Sequence, residues 1–292
     1  MRILIGFQLS LILFLSGTPG CAETSGPFLK VAAVQFLPKP TVSENADLIV
    51  SWLEKAASEE VDVVAFQECA LTGYNVERIE QTSEEDLLAG EKKIAEACQR
   101  LGLHAVLGTP QYREGKLYNT AVVFDPDGKE IERYSKIQLV GGDRWAQPGN
   151  ELSVFKIENI PCSIIICHDE RYPELVRLPV LAGARLVFYI SCESDVTAEH
   201  KLDPYRAQIQ ARAVENGVFV VHSNSPAMES HGQSRIIRPD GNLIAEATMF
   251  GEEMIAATLD LSKASAGNAQ NSYRSDLLRE WWEEGVKKVR IR

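Results

Sequence analysis

Asp125-Pro126-Asp127-Gly128 and Arg238-Pro239-Asp240-Gly241 each place a Pro-Asp-Gly turn between two β-prone runs. Proline presets the first turn angle, aspartate bonds its own backbone, and glycine takes the positive φ that closes a tight hairpin. The first turn joins Asn119–Phe124 to Lys129–Tyr134. Upstream, Val31–Phe36 has strand character, and Thr41-Val42-Ser43-Glu44 has the form of a capping box. Ala46, Ile49, Val50, Leu53, Ala56 and Ala57 then recur at helical spacing. Val61–Phe66 is a short apolar strand, Ser83–Leu101 a second helix and His104–Gly108 a third strand.

The same order precedes the second turn. Strands are predicted at Pro161–Cys167, Arg185–Ser191 and Val218–His222, with helices at Pro173–Ala182 and Asp203–Asn216 between them. A Pro-Asp-Gly turn is common by itself, so the repeat rests on the order of elements around it. Two β-α-β-α-β-hairpin halves with no linker between them predict one α/β unit: a four-layer α-β-β-α sandwich, sheets face to face and helices outside.

Bulk properties narrow the function classes. The net charge of −11 over 292 residues argues against nucleic acid or an anionic membrane as partner, because phosphates require a basic face. Arg2, the apolar run Ile3–Leu15 and the small residues from Ser16 to Ala22 follow the order of a secretory signal, so residues 1–22 predict export to a periplasmic or extracellular space. Cleavage after Ala22 fits the small-residue rule; lipid attachment at Cys21 is the alternative, although Thr18-Pro19-Gly20-Cys21 is a poor lipobox. The remaining cysteines, Cys69, Cys98, Cys162, Cys167 and Cys192, form neither a CxxC nor a clear disulfide framework. The domain is bounded at residues 28–262. Residues 263–292 form an extension whose Trp281 and Trp282 are expected to pack on the core or on a neighbour.

Three strand or hairpin ends carry reactive side chains. Glu68 follows Val63–Gln67, Cys167 follows Ile164–Ile166, and Lys136 follows the first hairpin. Each is ordinary alone: a cysteine ending an apolar strand usually packs in the core. Together they match what amide hydrolysis needs. A sulfur attacks the carbonyl, a base takes and returns a proton, and a positive charge meets the oxyanion.

The segments that hold them resemble the nitrilase superfamily of carbon–nitrogen hydrolases, in its amidase and N-carbamoyl amidohydrolase-like branch. Three stretches carry the resemblance: Phe66-Gln67-Glu68-Cys69-Ala70-Leu71-Thr72-Gly73-Tyr74, Arg133-Tyr134-Ser135-Lys136-Ile137, and Ile166-Cys167-His168-Asp169-Glu170-Arg171-Tyr172-Pro173-Glu174. Weaker echoes are Ala211–Gly217 and Ser234–Gly241. The resemblance implies the same sandwich, Cys167 as nucleophile through a thioester, Glu68 as base and then acid, and Lys136 with the His168 backbone N–H as oxyanion donors. It also implies no cofactor or metal, a small amide or carbamoyl substrate, and a homodimer or higher oligomer. The Lys136 ammonium is expected to favour the Cys167 thiolate. Many members carry a second glutamate ahead of the glycine that is here Gly149; this chain has Gly142-Asp143-Arg144-Trp145, so Asp143 is the expected substitute, one methylene shorter, with Glu151 less apt. Gln138 stands where a histidine is frequent.

Substrate contacts are less determined. Arg171 either receives a substrate carboxylate or ties down its own loop, with Arg78, Arg144 and Tyr172 as possible helpers. Tyr74 either lines the pocket or packs in the core. The His168-Asp169 pair after the nucleophile favours an amidase, with an N-carbamoyl amidohydrolase second. A papain-like hydrolase needs a histidine base, and none of His104, His168, His200, His222 and His231 has that context. A zinc site from Cys162, Cys167 and His168 lacks a fourth ligand. A non-catalytic binding module is the reading from a different class, separable by the activity of a Cys167→Ala variant.

Overall fold

The computed structural model describes residues 27–193, 202–227 and 233–274. The expectations on residues 1–22, His200, His231, Trp281 and Trp282 lie outside the described residues.

The predicted halves form as two six-stranded sheets. The first half supplies β1 (Phe28–Gln35), α1 (Val42–Ser58), β2 (Val63–Phe66), α2 (Val76–Gln81), α3 (Glu84–Leu101), β3 (His104–Arg113), β4 (Lys116–Phe124) and β5 (Glu130–Ser135). After β6 (Phe155–Ile157) the second half supplies β7 (Ile160–Ile166), α4 (Pro173–Leu181), β8 (Leu186–Ile190), α5 (Leu202–Asn216), β9 (Phe219–Ser223), β10 (Arg235–Ile237) and β11 (Leu243–Glu246). β12 (Glu253–Asp260) and α6 (Gly267–Arg274) follow. Thr41 caps α1 as a full capping box with Glu44. Both Pro-Asp-Gly turns close as hairpins, with Gly128 and Gly241 at positive φ and their N–H groups bonded to Asp125 O and Arg238 O.

Strand order is β12-β1-β2-β3-β4-β5 in one sheet and β11-β10-β9-β8-β7-β6 in the other. Each sheet therefore has three parallel strands, a hairpin on one side and one antiparallel strand on the other. The two antiparallel strands are exchanged: β6 follows the first half but pairs with β7, and β12 follows the second half but pairs with β1. Sequence reading found neither exchanged strand. It also missed α2 and ended the third strand at Gly108, whereas β3 continues to Arg113 and returns as β4 through Glu114-Gly115, both at positive φ.

Side chains alternate across the sheets as period-two strands require. Val31, Ala33, Val63, Ala65 and Val106 face the space between the sheets and meet Ile164, Ile166, Leu186, Phe188 and Val221 from the other. The intervening Ala32, Val34, Val64 and Phe66 pack outward on α1 and α3. Val187, Tyr189 and Val220 pack outward beneath α4, α5 and α6. The result is the α-β-β-α sandwich. No helix among the described residues is long and apolar enough to cross a membrane.

Candidate active site

The parallel strands β2 and β7 lie in different sheets, yet both end at one edge of the sandwich. After β2 the chain passes through Gln67 and Glu68 to Cys69, at φ +51°. This turn needs the glycine opposite it: a Cβ on Gly108 of β3 would lie 2.2 Å from Gln67 O and 2.8 Å from Glu68 Cα. Gln67 fixes the turn by exchanging hydrogen bonds with the Phe36 backbone (3.1 and 2.9 Å). Glu68 is thus held by backbone geometry before any charge acts on it.

Lys136 follows β5, its N–H bonded to Asn119 O at 2.8 Å and its carbonyl accepting from Gly149 N–H at 2.7 Å. Here too glycine is required, because a Cβ on Gly149 would lie 2.2 Å from Ser135 O. The Lys136 ammonium is fully buried and lies 2.8 Å from both Glu68 Oε1 and Asp143 Oδ2. Asn119 Nδ2 donates to the same Glu68 oxygen at 2.7 Å and more weakly to Asp143 Oδ1 at 3.4 Å. The other Glu68 oxygen accepts from the Cys192 backbone N–H at 2.9 Å. Tyr74 donates its hydroxyl to Asp143 Oδ1. The structure therefore brings Glu68, Lys136, Asp143 and Tyr74 into one hydrogen-bonded group.

Cys167 sits directly after β7 and is partly exposed. Its φ of +48° breaks the strand and opens a 3-10 turn over Cys167–Arg171. A left-handed non-glycine residue costs about 1–2 kcal/mol and persists only where neighbours impose it. Burial acts to lower the proton affinity of Lys136, but the Glu68 and Asp143 carboxylates offset it and hold the ammonium well above its ordinary pKa. Lys136 pulls the Cys167 thiol down, as expected, but it is not the largest influence. Burial first, then the Glu68 carboxylate, push the thiol well above its usual value, and the pull of Lys136 does not offset them. The hollow already holds two carboxylates to one ammonium, so a second net negative charge is unfavourable. The sulfur rests as a thiol.

Other predicted residues stand apart. His168 is half-buried with its ring edge-on to Tyr172, centroids 5.7 Å apart; burial, then Arg171 and Lys136, lower its pKa. His168 does not continue the strand, since β7 ends at Ile166. Arg171 is exposed, stacks on the Tyr205 ring of α5 at 4.7 Å and bonds its hydroxyl. Arg78 donates to Lys39 O and Thr72 O, which makes it a loop tie. Tyr172 and Arg144 are both exposed, and neither is drawn into the hydrogen-bonded group. Sequence reading missed Asn119, whose only signal is a polar residue inside Leu117–Phe124, and the Cys192 N–H, which has none. Among the described residues no group of three or more His, Cys, Asp or Glu side chains is arranged for a metal ion.

A family model described as carbon–nitrogen hydrolase matches residues 30–268. The chain is 30% identical over 231 residues to a 2-oxoglutaramate amidase of Bacillus subtilis (strain 168), covering 76% of this chain and 87% of that protein. It is 29% identical over 249 residues to an omega-amidase of Xenopus tropicalis, covering 80% and 88%. Among solved structures it matches a mutant of the amidase from Nesterenkonia sp. AN1, which shows Michael addition of acrylamide at that protein's active-site cysteine. That match has a TM-score of 0.74 and 25% identity, covering 87% of this chain and 99% of that one. It also matches a carbon–nitrogen hydrolase from Helicobacter pylori G27 in fold, with a TM-score of 0.79, 18% identity and coverage of 89% and 98%.

Proposed function

This chain belongs to the carbon–nitrogen hydrolase family, in the amidase branch of the nitrilase superfamily, and from that premise we propose that it releases ammonia from a small linear amide through a thioester on Cys167. The observation that carries the reading is the Lys136 ammonium held 2.8 Å from two buried carboxylates beside a partly exposed cysteine. The adduct on the active-site cysteine of the Nesterenkonia amidase supports giving the same role to Cys167.

In the proposed cycle the Cys167 thiol gives its proton to Glu68 as sulfur attacks the amide carbon. The raised thiol pKa makes this transfer part of the attack. The carbonyl oxygen becomes an oxyanion against Lys136 and the His168 backbone N–H, an arrangement that lowers the barrier because the donors are fixed beforehand in a dry site. Glu68 returns the proton to the departing nitrogen, ammonia leaves, and the carbon–nitrogen bond has been exchanged for a carbon–sulfur bond. Water then attacks the thioester, Glu68 takes its proton, and the carboxylic acid departs as the thiol is restored. Asp143 holds the Lys136 ammonium as a second carboxylate beside Glu68, and Tyr74 holds Asp143. Export of the chain and its assembly into a homodimer or higher oligomer remain part of the proposal, read out by N-terminal sequencing and by light scattering.

A panel of small amides with and without a carboxylate, set against N-carbamoyl amino acids, tests the reading. Ammonia without carbon dioxide is the expected product. Carbon dioxide released alongside it identifies the carbamoyl reaction instead. Turnover that survives Cys167→Ala refutes the mechanism.

A further inference from the structure

Asp169, two residues past Cys167, takes no chemical part in the cycle above, yet its fully buried carboxylate joins both sheets. Its Oδ2 accepts from Ile166 N–H at 3.1 Å and from the Tyr134 hydroxyl at 2.8 Å. Its Oδ1 accepts from Gln138 N–H at 2.8 Å. Ile166 is the last residue of β7 and immediately precedes the left-handed Cys167. Tyr134 and Gln138 lie two residues before and two residues after Lys136. One carboxylate thus reaches from the backbone that aims the sulfur to both sides of the residue that carries the ammonium.

We infer that Asp169 is a positioning residue that sets the distance between the Cys167 sulfur and the Lys136 ammonium across the gap between the sheets. The inference rests on the proposed roles of those two residues. Three donors converge on Asp169, and only a group that accepts at both ends answers all of them. An amide in its place sets an N–H against either Gln138 or the Ile166–Tyr134 pair, and one side of the tie opens. Burial raises the Asp169 carboxyl to about 6 in spite of the three donors and Lys136, so the ionised form is bound by need and not by ease. Misplacement by a fraction of an ångström is costly in such a site because the thiol must reach the carbonyl while the oxyanion reaches Lys136.

The test uses the full chain with Asp169→Asn, Asp169→Glu and Tyr134→Phe, followed by kcat, KM and the rate of Cys167 alkylation by iodoacetamide. Asp169→Asn is expected to lower kcat about 100-fold with KM within about 3-fold, and Tyr134→Phe, which removes one donor of three, about 5-fold. Asp169→Glu, which keeps both accepting oxygens, is expected to recover part of the kcat lost in Asp169→Asn. Alkylation is expected to slow in step with kcat. The double variant is expected to be no slower than Asp169→Asn alone, because both act through one tie. A kcat within about 2-fold of wild type in folded Asp169→Asn, whatever its thermal stability, overturns the inference. Strictly additive losses, or an Asp169→Glu no faster than Asp169→Asn, do the same. If Asp169→Asn does not fold, an unchanged kcat in Tyr134→Phe overturns it. A Cys167→Ala variant without turnover beside fully active Asp169→Asn and Tyr134→Phe rejects the positioning role and leaves the proposed cycle standing.

Discussion

Cys69 and Cys167 lie just beyond the C-terminal ends of parallel apolar strands, one in each sheet, with nearly the same left-handed backbone, φ +51° and +48°. Burial and then Glu68 raise both thiols, and Lys136 lowers both. What separates them is access. Cys69 is sealed, its sulfur 3.8 Å from Asn119 Oδ1, whereas Cys167 is partly open. A strained backbone and a carboxylate neighbour are therefore common to a sealed thiol and a candidate nucleophile. The halves also divide the proposed chemistry. The first supplies Glu68 and Lys136, and the second supplies the sulfur, with Ile166 at the position before it.

The largest effect that sharpens this contrast is at the sulfurs themselves. Cys167→Ala is expected to lower ammonia release by at least about 10⁴-fold, while Cys69→Ala changes it by less than about 3-fold. Cys69→Ala is expected to cost about 1 kcal/mol in denaturant unfolding from lost packing. Comparable losses of activity in the two variants break the comparison.

Lys136→Met comes next, since it leaves two buried carboxylates without the ammonium that both touch. The expected result is a rate loss of about 10³-fold together with a destabilisation of about 3–5 kcal/mol, read from kcat and from denaturant midpoints. Asp143→Asn keeps Glu68 on the ammonium and should cost less, about 10- to 100-fold in kcat/KM, with Tyr74→Phe costing about 3-fold. Losses in the reverse order mean that Asp143 is more than a support for Lys136.

The smallest effect lies just past the open cysteine. Glu170 is buried, and neither of its carboxylate oxygens finds a hydrogen-bond partner among the described residues. Burial first, then Glu193, push its carboxyl up to about 8. A group whose pKa is higher folded than unfolded favours the folded state fully below about pH 4.5 and loses that contribution as pH rises through the folded value. Glu170→Gln removes this slope. Its melting temperature is expected to gain on wild type from pH 5 to pH 9, with little change in kcat; a constant offset across that range contradicts the assignment.

The sandwich was legible because its parallel strands and outer helices write their periods into contiguous sequence, and because Thr41, Pro173, Gly128 and Gly241 mark where those periods stop. The exchanged strands were not. Phe155-Lys156-Ile157 is too short to carry a period, and Glu253–Asp260 is half-exposed and pairs with the far end of the chain. The α2 helix carried a weak signal in Asn75, whose side chain accepts from Arg78 N–H. Glu68, Lys136 and Cys167 could be named from local sequence since each stands at a strand or hairpin end, whereas Asp143 was named only through the family resemblance. Asn119, Tyr134 and Asp169 act only where strands from distant segments converge, and no local pattern distinguishes them from polar core residues.

Catalysis through Cys167 is tested most simply by rapid acid quenching during turnover of an amide substrate, followed by peptide mass analysis. A thioester carrying the acyl group of the substrate, confined to the peptide that contains Cys167 and decaying as acid product forms, is the predicted result. Ammonia release at full rate with no acyl group on that peptide, or with the acyl group on Cys69 or Cys192, would contradict it.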